Sequence, residues 1–228
     1  MRLNGLFYIT LLTLSLWSGS SRASVVTGRV CLASLEALAK DHFADPQIFN
    51  CGYCFMNSGE LGRLAANRLG GPLSDIKLLV IRHKKANLLD DGKVHPKHSV
   101  IGGAEHTRDG DEPVWRYHAV LSYQNKIIDF DKKEGWIAVP FSTFKDQMLP
   151  LSEAYLYREG EETWLQRLGY RPWRTHNKDK DLVVIEIPLT DYLKRFPDGR
   201  PSEETSLSFI ETYPAVPIAT YKKGAGEK

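Results

Sequence analysis

The chain has 228 residues, 30 of them Lys or Arg and 28 Asp or Glu, for a formal net charge of only +2. So even a balance, with no basic block, leaves no electrostatic footprint for nucleic acid. The length suits one domain with a proper core.

Residues 1–23 read as a cleavable export signal. Arg2 gives a positive start, Leu6 to Trp17 form an apolar stretch, and Ser21-Arg22-Ala23 places small residues at both cleavage-determining positions. The stretch is too short to span a bilayer comfortably, so no membrane attachment is expected after cleavage. Cleavage removes two arginines and leaves 28 basic against 28 acidic residues. The expected layout is a signal over 1–23, a catalytic domain over 24–200 and an irregular extension over 201–228. The product would be a periplasmic or secreted monomer. Its three cysteines, Cys31, Cys51 and Cys54, are an odd number, so an exported form keeps one thiol free. Pairing Cys31 with Cys51 would leave Cys54 as that thiol; spacing alone does not choose.

In chain order, Leu32, Leu35, Leu38 and Ala39 recur at the spacing of one helical face, predicting a helix over 30–43 that Asp45-Pro46 ends. Asn50-Cys51-Gly52-Tyr53 reads as a turn into a second helix. That helix opens at Cys54, carries Leu61, Leu64, Ala65 and Leu69 on one face, and stops at Gly70-Gly71-Pro72. Ile76–Arg82 is a strand with a largely buried run. Residues 83–113 are polar and aperiodic, a loop long enough to act as a lid. Val114–Tyr123 and Lys126–Phe130 form a hairpin about Gln124-Asn125.

Trp136–Phe141 is predicted as a strand, Phe144–Leu149 and Glu161–Leu168 as short helices, and Leu182–Ile187 as a further strand. Thr190–Phe196 is predicted as a short helix capped by Thr190. After Pro197 the chain is proline-rich and is expected to be irregular. The sum is an α+β fold, helices first, packed on a mostly antiparallel sheet.

Three residues carry candidate chemistry. Cys54 stands at a helix N-terminus, where unpaired N–H groups and the helix dipole stabilise a thiolate. His118 lies on a strand and could serve that thiol as base and acid. In a two-residue hairpin Tyr123 pairs with Lys126, Val120 with Asp129, and His118 with Asp131. Both carboxylates then share the face of His118, with Asp131 directly opposite and Asp129 diagonal. The bland alternatives are a hydrogen-bonded structural histidine and a cysteine acting as a small hydrophobe.

The segments C-x-x-N-x-x-x-L at Cys54–Leu61, P-V-W-R-Y-H-A-V-L at Pro113–Leu121 and I-I-D-F-D at Ile127–Asp131 resemble those of the protein N-terminal glutamine amidohydrolases. They are also similar to segments of the secreted bacterial protein-glutaminases. Both groups belong to the papain and transglutaminase-like enzymes. The resemblance covers residues 51 to about 145. It implies a papain-like core with Cys54 as nucleophile, His118 as base and acid, and Asp129 as the residue that orients it. It also implies deamidation of glutamine in proteins or peptides, with no metal or cofactor.

Four other readings compete. Cys51-Gly52-Tyr53-Cys54, with Ala215-Val216-Pro217 as a companion segment, suits a thiol–disulfide oxidoreductase. A papain-like protease or transglutaminase would use the same triad. Cys51, Cys54, His95 and His98 have zinc-ligand spacings, though the gap between the pairs is unlike a compact finger. A binding module with a degenerate triad is the non-enzymatic alternative.

Overall fold

The computed structural model describes residues 30–43, 53–69, 72–86, 88, 100–101, 114–133, 137–149, 178–197 and 200–221. The export signal, Cys51, His95, His98, the expected helix at Glu161–Leu168 and most of the 83–113 loop lie outside the described residues. No helix among the described residues is long and apolar enough to cross a membrane.

Mixed helices and antiparallel sheet make an α+β fold. Helices α1 (Leu32–Phe43) and α2 (Cys54–Leu69) precede β1 (Ile76–His83). The expected long strand at Val114 is interrupted at Arg116. Its first part, β3 (Val114–Trp115), pairs with β2 (Val100–Ile101) in a separate two-stranded sheet. The rest, β4 (Tyr117–Tyr123), joins the main sheet. Arg116 at the break reaches the carbonyl of Leu88 at 2.5 Å, turning a side chain out of the ladder.

Then come β5 (Lys126–Ile128), β6 (Val139–Pro140), α3 (Phe141–Met148), a single turn α4 (Lys178–Asp181), β7 (Leu182–Pro188), α5 (Leu189–Arg195), α6 (Glu203–Ile210) and β8 (Ala215–Pro217). The main sheet runs β6-β5-β4-β1-β7-β8. Every pairing in it is antiparallel.

Strand alternation divides the core. Leu78, Val80, Ala119 and Leu121 face α1 and α2, while Leu79, Ile81, Val120 and Val184 face α3. Because both faces are covered, β1 and β7 read as nearly continuous apolar runs rather than alternating ones. The hairpin forms with the two-residue loop expected. Tyr123 pairs with Lys126, and Gln124 and Asn125 take φ values of 48° and 64°, as a type I′ turn requires.

Three expectations are corrected. The stretch after Pro197 is not wholly irregular: Ser202 accepts a hydrogen bond from the Thr205 N–H and starts α6, which buries Leu207 and Ile210. Beyond it β8 pairs with β7, so this segment completes the sheet. Prolines obscured it, yet Pro217 fits because an edge strand leaves one side without a ladder partner. Thr190 does not cap α5. β7 continues to Pro188, the helix begins at Leu189, and no side chain caps it. Among the described residues of the expected strand at Trp136–Phe141, only Val139–Pro140 is strand, and α3 begins directly at Phe141.

Candidate active site

Cys54 is the first residue of α2, and the first intrahelical bond runs from the Asn57 N–H to the Tyr53 carbonyl at 2.9 Å. The N–H groups of Cys54, Phe55 and Met56 therefore have no acceptor within the helix, and the positive end of the helix dipole lies at the sulfur. Small residues hold α2 close to its neighbours. A Cβ on Gly59 would lie 2.2 Å from Tyr192 Cζ, and one on Gly62 2.3 Å from Leu189, both on α5. Arg63 then caps the far end of α5 through the carbonyls of Phe196 and Pro197. One turn after Cys54, the Ser58 hydroxyl donates to the Ala119 carbonyl at 3.3 Å and fixes α2 on β4.

The early end of β5 makes room for the sulfur. In a two-residue hairpin the odd residues of β4, from Tyr123 back to Tyr117, aim their backbone groups towards β5. Pairing stops at Leu121–Ile128, so that edge of β4 has no strand beside Ala119 and Tyr117. The Cys54 sulfur fills this notch. It accepts the Ala119 N–H at 3.2 Å and lies 3.9 Å from the Tyr117 carbonyl oxygen. A residue from one face of the sheet thus reaches His118, whose side chain belongs to the other.

His118 is fully buried, and its Nε2 lies 2.9 Å from Asp129 Oδ2. The other Asp129 oxygen accepts the backbone N–H of Asp131 at 2.9 Å, so both oxygens of that carboxylate are engaged. Nδ1 makes no ordinary hydrogen bond and lies 3.5 Å from Asp131 Oδ2. Trp115 stacks on the imidazole with centroids 4.2 Å apart and planes 21° apart, and Phe144 lies nearly parallel at 6.3 Å.

Burial alone would push the imidazole towards its neutral form. The charge of Asp129 and its hydrogen bond outweigh that, aided by the Cys54 thiol and the charge of Asp131. His118 is held well above the ordinary histidine range. Burial also pushes the Tyr117 hydroxyl upward, and Cys54 and Glu203 add to the effect.

The structure therefore brings Cys54, His118 and Asp129 together. Both readings of the carboxylates hold in part. Ladder pairing ends before Asp129, and the backbone turns there instead of continuing opposite β4. That turn gives Nε2 to Asp129 and leaves Asp131 near Nδ1. His118, Asp129 and Asp131 are also the one group of three among the described residues with ligand-type atoms within 4.8 Å of one another. A direct nitrogen–oxygen distance of 2.9 Å is that of a hydrogen bond.

Cys31 is exposed and Cys54 buried, and both are free thiols. Cys51, the other cysteine of the expected pairings, lies outside the described residues. Ala215–Pro217 forms the edge strand β8, three strands from β4, or about 14 Å at the usual strand spacing. The zinc alternative rests on Cys51, His95 and His98, outside the described residues.

Sequence reasoning missed the roles of Ser58, Gly59 and Gly62. Their signal was a run of small residues one and two turns along the helix that begins at Cys54. The chain matches no protein-family model and no curated protein.

Proposed function

We propose that this protein is a cysteine amidohydrolase that converts glutamine side chains of proteins or peptides to glutamate. The observation that carries this reading is the buried imidazole, bound through Nε2 to Asp129 and with the Cys54 thiol among the groups that act on it. A helix packed through its first residue on an antiparallel sheet also suits a papain or transglutaminase-like core. Export is part of the proposal, resting on Arg2, Leu6–Trp17 and Ser21-Arg22-Ala23.

The thiolate attacks the glutamine Cδ, and the carbonyl oxygen takes the negative charge. The Cys54 N–H at the helix tip is a donor for that oxyanion. His118 delivers its proton to the amide nitrogen, the C–N bond breaks and ammonia leaves, with a thioester remaining on Cys54. The neutral imidazole next takes a proton from water, whose oxygen attacks the thioester. Collapse releases glutamate and returns the thiolate–imidazolium pair. Asp129 keeps the ring oriented and stabilises its charge throughout.

Ammonia release from glutamine-containing peptides, N-terminal and internal, is the direct test, with wild type compared against Cys54→Ala. Loss of release in the variant supports the mechanism; release unchanged in Cys54→Ala removes it.

A further inference from the structure

The second carboxylate at the imidazole has no part in a three-residue mechanism, yet the backbone aims it there. Asp129 turns the chain after β5 and binds the Asp131 N–H, which returns the Asp131 side chain to the opposite nitrogen of the same ring. His118 thereby lies between two carboxylates, 2.9 Å from one and 3.5 Å from the other. We propose that Asp131 is a positioning residue whose carboxylate retains the His118 proton on Nδ1. This deepens the amidohydrolase reading and rests on the same thiol–imidazole pair, but its test needs no glutamine.

The surroundings isolate the effect. From α2 the titratable group facing the ring is Cys54, and from the turn after β5 they are Asp129 and Asp131. Trp115 of β3 and Phe144 of α3 cover the ring with apolar surface. Tyr117, on the same strand, is acted on by Cys54, Glu203 and Arg116. Asp129 is sealed in, whereas Asp131 keeps 14 % of its side-chain surface exposed, at the margin of the site. A proton held between two acceptors is not lost when the sulfur gives up or takes its share. The partly wet carboxylate is the one that can release it as substrate enters.

The test follows the imidazolium through Cys54 alkylation. Anionic iodoacetate is drawn to an imidazolium and neutral iodoacetamide is not, so the ratio of their rates falls as His118 loses its proton. Both are read at Cys54 by peptide mass mapping across pH. In Asp131→Asn the midpoint of that fall is expected to be lower than in wild type by about 0.9 pH unit or more, the effect of a unit charge at 3.5 Å in a water-like dielectric. Asp131→Glu, which keeps the charge, is expected to restore most of the shift. A midpoint unchanged in Asp131→Asn, with an unchanged thermal melt, overturns the proposal. Should that variant not fold, Asp131→Ser reads the same charge removal. Absence of ammonia release from wild type would overturn the amidohydrolase reading alone, because the alkylation midpoints are measured without substrate.

Discussion

Replacing Gly59 with alanine sets two opposing effects against each other. Glycine in a helix interior is about 1 kcal/mol less favourable than alanine, so an unpacked α2 would gain stability from the change. Here the added methyl carbon would lie 2.2 Å from Tyr192 Cζ and 2.3 Å from its hydroxyl oxygen. Carbon atoms pack at about 3.5–4.0 Å, so relief needs a shift above roughly 1 Å. Tyr192 is 1 % exposed and packed edge-on against Phe55 and Phe196. Overpacking of this kind costs about 1–3 kcal/mol, and an overlap this deep belongs at the upper end.

The net expectation is a loss of about 1–2 kcal/mol. For a chain of this size that lowers Tm by about 2–8 °C. Urea denaturation of wild type, Gly59→Ala, Tyr192→Leu and the double variant gives the coupling between the two sites. Tyr192→Leu should cost less in the alanine background than alone, by about 1–3 kcal/mol. Stabilisation by Gly59→Ala, or a coupling near zero, would refute the close approach of α2 and α5. The packing that holds Cys54 against β4 would then need another account.

Three further outcomes follow from the site. Asp129→Ala should destabilise the fold by about 3–5 kcal/mol in urea melts, because it strips a buried imidazole of its partner and also frees the Asp131 N–H; a cost within experimental error would count against the buried pair. Folding raises the proton affinity of His118 above its unfolded value near 6.5, so the pair's stabilisation is complete below that pH and is lost as pH rises through the higher folded value. The stability advantage of wild type over His118→Gln should accordingly narrow on going alkaline, and a constant or widening gap would contradict the assignment. Cys31→Ser and Cys51→Ser should each retain ammonia release, since neither thiol belongs to the proposed machinery; loss of turnover in Cys51→Ser would favour the oxidoreductase chemistry instead.

Several features were legible in local sequence because their causes are local. Apolar spacing gave α1 and α2 their positions and the buried faces that include Leu35, Ala39, Leu61 and Ala65. Gln124-Asn125 tolerates the left-handed backbone of a tight hairpin, which set the register of β4 against β5. Cys54 at a helix start and His118 on a strand were equally accessible, since each depends on its own few neighbours. What the chain order could not supply was any relation between distant segments.

Tertiary structure alone decided where β5 stops, and with it which carboxylate takes Nε2, because ladder pairing competes with the turn that Asp129 makes using its own side chain. It also decided that a thiol on one face of the sheet meets an imidazole on the other, through a notch that exists only once helix and strands are assembled. The pairing of β8 with β7 is of the same kind: its hydrogen bonds join residues some thirty positions apart, and the three exposed residues of that edge carry no pattern of their own. Residue identity and short-range spacing supplied the reactive groups; the distances between them came from packing.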